Sequence, residues 1–386
     1  MLKNLKSYFL ILFITILIWT VIDFFFGRNL LNSIKYANNH GTIHPNYHHT
    51  FLPKVNKILY WAGLEYNFCT DNHGFRNSCS AVKVREKNFD IVFIGDSVTE
   101  GVGLDYEDTI VGIINKNLKD KKIANLAASS YSTHIYNNKI KFLLENGYTF
   151  NEVFVLIDPS DIQDDTEIYK VSGNTVISKN RKISFYNFYI DKTKYLIKKT
   201  FPMTYEFLIL FKKKFNFNKK NLNQIELNDK SNIKNLGNKG KNTLKIKLPK
   251  YEKEFKNIDL RRLAWTYDKN INYGEIPVKE SIKMSINQMN QLYETLISKN
   301  ISLSIVIYPL PPQLAFDKEL SMQVKIWEKF CYLKCKQFIN SFPYFFEKLN
   351  ETSFLEVNNK YFIQNDVHFN KKGNQAIANL ITKHFD

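Results

Sequence analysis

Cysteine is scarce in this chain, four in 386 residues, and none of the four stands in a Cys-x-x-Cys pair. With no such spacing, and no familiar pattern of histidines beside the cysteines, a zinc site is not expected. By position they fall into Cys69 with Cys79 and Cys331 with Cys335. In an oxidising compartment the first pair closes a short loop, and the second, one helical turn apart, makes a strained bridge. In the cytosol all four are free thiols, and the sequence leaves the choice open. Acids are also in short supply, 37 Asp and Glu against 54 Lys and Arg, for a formal net charge of +17. Much of the excess sits between about Phe211 and Lys256, where Lys212, Lys213, Lys214, Lys219, Lys220, Lys239, Lys241 and Lys245 mix with Asn. No zinc-finger spacing or RNA-binding aromatic signature accompanies this run. It reads as a solvated insertion, with contact to acidic glycans or anionic lipid as its functional version, and nucleic acid is not an expected partner. Apolar material is not lacking: 44% of the residues are hydrophobic, ample for a core.

One long apolar run stands near the start. Ser7 to Phe26 carries a single charge, Asp23, near its end, and roughly 20 residues span a bilayer's hydrocarbon core. Lys3 and Lys6 precede the run, which puts the N-terminus in the cytoplasm; Arg28 and Lys35 follow it and weaken the asymmetry. A cleaved signal peptide is the rival reading. Its core would end at small residues, whereas Phe24, Phe25 and Phe26 run straight into Gly27. The expectation is a single-pass membrane protein with residues 1–6 cytoplasmic, 7–26 in the membrane and the rest periplasmic or extracellular. Residues 27–88 are expected as a juxtamembrane region packing on the domain that follows. Its His40, His44, His48 and His49 have no partnering carboxylate and read as loop residues rather than metal ligands.

From Phe89 strands and helices alternate. Asp90 to Ile94 is a short β-branched run stopped by Gly95, the pattern of a buried parallel strand. A helix is predicted over Asp108–Leu118, a strand over Lys122–Leu126, a helix over Ile135–Asn146 and a strand over Glu152–Ile157. The pattern is lost over about 166–257 and resumes with a helix over Val278–Lys299, a strand over Ile301–Tyr308, and helices over Met322–Phe338 and Gly373–His384. Such alternation predicts an α/β fold, a parallel, flavodoxin-like sheet between two helical layers, over residues 89–386. Ligands in these sheets collect beyond the carboxyl ends of the strands.

The first strand exits into Gly95-Asp96-Ser97-Val98-Thr99-Glu100-Gly101. A serine at that turn projects its hydroxyl into the crevice, and following backbone N–H groups face a developing oxyanion. The run does not fit Gly-x-Gly-x-x-Gly and has no Lys where a phosphate loop needs one. Near the C-terminus, Asp366 and His368 stand two apart before a Gly373-capped helix. An acid so close to a histidine can orient it as a general base and stabilise the imidazolium.

Together these features resemble the SGNH, or GDSL-like, hydrolases. Gly95-Asp96-Ser97 matches that family's first motif, and Asp366 with His368 its last, with one intervening residue where two are usual. The resemblance covers roughly 89–165 and 301–385. It implies Ser97 as nucleophile, His368 as base and Asp366 as its orienter. The N–H groups of Ser97 and Ser130, with the hydroxyl of Ser160, are implied as the oxyanion hole. Ser130 stands where the family has Gly, and Ser160, in Asp158-Pro159-Ser160-Asp161, where it has Asn. His73-Gly74-Phe75-Arg76 resembles a run found before the catalytic strand of extracytoplasmic members; Arg76 is read either as a ligand for an acidic substrate group or as a salt-bridge residue. Tyr308 is expected to line the site. The expected function is ester hydrolysis on acylated cell-envelope glycans or small esters, without cofactor or metal. O-acyl transfer to a surface polysaccharide with the same triad, and a silent glycan-binding protein on this fold, are the alternatives.

Overall fold

The computed structural model describes residues 2–32, 40–81, 86–179, 185–211, 251, 253–256, 258–268 and 270–385. The lysine run from Lys212 to Lys245 lies outside them. The chain divides into two units, Met1–Thr42 with Ser184–Lys245, and Ile43–Ile183 with Ile246–Asp386.

The first unit is helical. Its N-terminal helix, Leu2–Asn32, contains a stretch, Lys6–Leu31, that is long and apolar enough to cross a membrane. The helix Phe185–Thr200 and the short apolar helix Pro202–Phe211 belong to the same unit.

The second unit is built on one eight-stranded sheet. Its strands are β1 (Asn56–Trp61), β2 (Leu64–Thr70), β3 (Arg76–Asn77), β4 (Asn88–Ile94), β5 (Ile123–Asn125), β6 (Thr149–Ile157), β7 (Ser302–Ile307) and β8 (Gln337–Asn340). Across the sheet they run β8-β7-β6-β4-β5-β3-β2-β1. From β8 to β5 every neighbouring pair is parallel, and these five strands have the flavodoxin-like order in which the second lies beside the first. Helices cover both faces. Thr133–Glu145 packs with Val278–Ile297, and Ile110–Asn117 with the C-terminal helix Lys371–Thr382. The runs Ile91 to Ile94 and Val153 to Ile157 are buried throughout, as strands sandwiched between two helical layers must be.

Two parts of the sheet depart from the expected pattern. The helix predicted to reach Phe338 ends at Cys331, Leu333 takes left-handed backbone (φ 61°), and Phe338 instead lies in β8, paired with Ile305 of β7. An edge strand of four residues with two apolar members carries too little pattern to read. The sheet also extends upstream of residue 88. β3, β2 and β1 continue the sheet by antiparallel pairing, with Arg76 opposite Asn125. Both cysteine pairs are bonded, Cys69 to Cys79 with Cα atoms 5.1 Å apart and Cys331 to Cys335 at 4.7 Å.

Candidate active site

β4 lies between β5 and β6, the point where strand order reverses and a crevice opens beyond the carboxyl ends. Ser97 sits there, first residue of the short helix Ser97–Glu100, which Asp96 caps by accepting Val98 N–H at 3.0 Å. Gly95 is required by close packing: a Cβ on it would lie 2.1 Å from Thr99 Oγ1 and 2.9 Å from the Leu156 carbonyl oxygen. Glu100, buried in the same turn, accepts the N–H and the hydroxyl of Ser129, both at 2.6 Å. The β4 turn thereby fixes the loop after β5.

That loop is held from every side. Buried Lys139 donates to the Leu126 carbonyl at 2.7 Å and to the Tyr131 hydroxyl at 3.1 Å. His49 Nε2 meets the Ser129 carbonyl at 2.8 Å, and the Tyr169 hydroxyl donates to the Ser130 carbonyl at 2.7 Å. Burial, then neighbouring His48, pushes His49 down to about 3, so its ring is neutral and its Nε2 proton is free to donate. With the Ser129 carbonyl taken by His49, the peptide's other side, the Ser130 N–H, is oriented away from it. Ser130 has φ 62°, the left-handed backbone a glycine adopts at no steric cost. The serine therefore holds a glycine's conformation at this position.

Asp366 and His368 come from a tight loop closed by the bridge between Phe362 and Phe369. Asn365 supplies its left-handed corner (φ 57°). Asp366 Oδ1 accepts the backbone N–H of His368 at 2.9 Å and also bonds the imidazole Nδ1 of the same residue. This local turn is how a spacing of two residues brings a carboxylate against the ring. Asp366 Oδ2 accepts from Trp61 Nε1 at 2.9 Å, and the Trp61 ring meets the imidazole edge-on at 5.2 Å. Burial works against charge on both residues. Their mutual hydrogen bond and attraction outweigh it, holding Asp366 below and His368 above their ordinary values. His368 Nε2 is buried and bonds no described residue.

Ser97, Ser130, Ser160, Asp366 and His368 line one cavity of about 570 Å³. Ser97 Oγ donates to Asp96 Oδ2 at 3.1 Å. Ser160, also in the cavity wall, has its N–H engaged by Asp158 Oδ1 at 2.8 Å. Asp96 is pushed up to about 7, chiefly by burial and then by the charge of Asp158.

Two expected site residues are not brought to this cavity. The Arg76 guanidinium is buried beneath β2, donating to the carbonyls of Leu104 at 2.9 Å and Asn67 at 3.0 Å and lying 4.6 Å over the Phe68 ring. Among the described residues it makes no ion pair, backbone carbonyls take only its terminal N–H groups, and its buried Nε bonds none of them. Tyr308 is fully buried behind the wall and donates to Asp158 Oδ2 at 3.3 Å, so it supports a lining residue rather than lining the site.

Trp61, Arg262 and Asp259 are among the lining residues that were not expected. Trp61 arrives on the hairpin of β1 and β2, whose two-residue turn, Ala62-Gly63, has both residues at positive φ, as tight hairpins favour. Arg262 and Asp259 form another part of the wall, with Arg262 held by Asp164 at 2.8 Å. The Ala-Gly turn between alternating strands was the readable signal for Trp61. Arg262 follows a Lys- and Asn-rich stretch that hides it.

No family model matches this sequence, and no curated protein does. Among solved structures the chain is similar to TesA, at 8% identity and a TM-score of 0.38, over 77% of this chain and 98% of that one. It is also similar to the psychrotrophic esterase EstA from Pseudoalteromonas sp., in a structure inhibited by monoethylphosphonate, at 11% identity and a TM-score of 0.33 over 78% and 97% of the two chains.

Proposed function

We propose that this protein is a serine-dependent ester hydrolase of the SGNH type, anchored in a membrane by its N-terminal helix and acting outside it on acylated envelope glycans or related esters. The observation that carries the reading is the convergence, in one cavity, of Ser97 with the Asp366–His368 pair and with Ser130 and Ser160. In the proposed cycle Ser97 Oγ turns from Asp96 to His368, passes its proton to Nε2 and attacks the ester carbonyl. The carbonyl oxygen, now negative, takes the N–H groups of Ser97 and Ser130 and the Ser160 hydroxyl. Collapse expels the alcohol, which receives the proton from His368, and leaves an acyl-serine. Water, deprotonated by the same imidazole, then releases the acid. Asp366 holds the ring in the tautomer that leaves Nε2 free to accept. A hydroxyl donor at 160 is shorter than an amide, and losing one good oxyanion donor costs on the order of 10²–10³ in rate, so a modest turnover is expected. The glycan substrate rests on the compartment and on the family resemblance. Two disulfides support an oxidising location.

The test is labelling by a fluorophosphonate probe. The wild-type chain is expected to label, and Ser97→Ala to abolish the label without loss of fold. Equal labelling of wild type and variant, or none of a folded wild type, would remove the nucleophile from this reading.

A further inference from the structure

Asp23 interrupts an otherwise apolar helix, and nothing in the catalytic reading explains it. It is buried, with Gly27 and Leu31 following at one-turn intervals on the same side of the helix. That side is occupied by the start of the short helix Pro202–Phe211. Asp23 accepts the Met203 N–H at 2.9 Å and the Thr204 N–H at 2.7 Å, two donors of the helix's first turn that have no partner within the helix. Trp19 Nε1 donates to Thr204 Oγ1 at 2.9 Å, and the Phe24 and Phe201 rings lie 6.1 Å apart. At Gly27 a Cβ would come within 3.2 Å of Pro202 Cγ, so the close approach uses the missing side chain. Glu206 is turned toward Lys198 at 3.8 Å. What remains outward is apolar: Phe207, Leu208 and Leu210 are 61%, 53% and 62% exposed, as are Phe24, Phe25 and Phe26 of the N-terminal helix to a similar degree.

An exposed apolar patch on a helix whose first N–H groups are already capped is what hydrocarbon tolerates and water does not. We infer that Pro202–Phe211 is a second membrane-embedded element, clipped by Asp23 to the outer end of the N-terminal helix and laying Phe207, Leu208 and Leu210 into the lipid. The helix that carries this surface is docked on the anchor through Asp23, Trp19 and Phe24, and the surface's occupant is the acyl-chain region of the bilayer at its outer boundary. An interfacial helix of this kind sits roughly 5–10 Å deep at the headgroup boundary. The inference rests on the anchor reading of the N-terminal helix, and gives the insertion a membrane-docking part.

All four native cysteines are in disulfides, so a single introduced cysteine is the only reactive thiol. The full chain, reconstituted in phosphatidylcholine vesicles, is labelled with a small fluorophore at Leu208→Cys, and separately at Leu210→Cys, Leu12→Cys on the anchor and Lys299→Cys in the second unit. Quenching by lipid with a nitroxide on its acyl chain is compared with quenching by aqueous iodide. Several-fold stronger lipid quenching at 208 and 210 than at 299, approaching that at 12, is expected. Iodide quenching at 208 and 210, or protection from both quenchers as a covering protein surface would give, overturns the inference while lipid quenching at 12 stands. Absence of lipid quenching at 12 overturns the anchor itself, and with it the inference.

Discussion

At the scale of single residues, the pairing of Asp366 with His368 has a consequence for pH. In the proposed cycle the neutral imidazole is the form that accepts the serine's proton, and Asp366 raises its affinity for a proton against the opposing effect of burial. On that reading activity is expected to be gained as pH rises through a His368 value held above the ordinary imidazole one. Asp366→Asn removes the charge that raises it, so the acid limb of the kcat/KM profile on an aryl ester is expected to move to lower pH. The plateau should fall by up to about 10⁴-fold, because the ring loses its orienter and its tautomer. An unmoved limb would mean that Asp366 does not set the base. Ser97, by contrast, rests on Asp96 rather than on His368; the proposed cycle has it turn to the imidazole, and hydrogen bonds between a nucleophile and its base often tighten only with substrate bound.

Elements carry the site's less visible parts. The hairpin of β1 and β2 reaches from the far edge of the sheet and brings Trp61 to Asp366. Its return strand is tied down by the Cys69–Cys79 bond, with ten residues of separation, and by the Arg76 clamp. Opening a loop of that size costs about 2–3 kcal/mol on the chain-entropy account. Cys69→Ser with Cys79→Ser is expected to lower the denaturant midpoint accordingly, measured without reductant. An unchanged midpoint would assign the hairpin's rigidity to Arg76 and strand pairing alone. The loop after β5 is a second such element. Four side chains, Glu100, Lys139, His49 and Tyr169, hold it; Lys139 comes from the helix that follows, and the other three stand far from it in sequence.

For the whole molecule, the buried carboxyl groups couple stability to pH. Asp96 and Asp164 are each raised to about 7, by burial first. Between the ordinary carboxylate value and 7 the folded chain then binds more protons than the unfolded one, so their contribution weakens as pH rises through that window. Asp96→Asn keeps a side-chain oxygen for the Val98 cap and removes the ionisable group. Relative to wild type it is expected to gain about 2 kcal/mol on going from pH 5 to pH 8, read from urea midpoints at both. A gain that is the same at both values would show that Asp96 is not held protonated by its surroundings. His49, pushed down to about 3, acts in the opposite sense below its ordinary value and is unchanged by this substitution.

The sequence by itself determined the parallel core of the sheet. Runs such as Ile91 to Ile94 and Val153 to Ile157 are apolar at every position, and only a strand covered on both faces accommodates that. It also determined the turn at Gly95-Asp96-Ser97 and the Asp366–His368 pair, because each is a local arrangement whose geometry follows from neighbours one or two residues away. Only the tertiary structure decided the wall. Trp61 lies 305 residues from Asp366 in the chain, Arg262 is 98 from Asp164, and the conformation of Ser130 is imposed by groups from four separate segments. It also kept Arg76 and Tyr308 out of the cavity lining, since a residue type shows that a charge or hydroxyl is present but not which groups it will meet. Contacts of that span leave no period and no spacing in the sequence, and packing alone sets them.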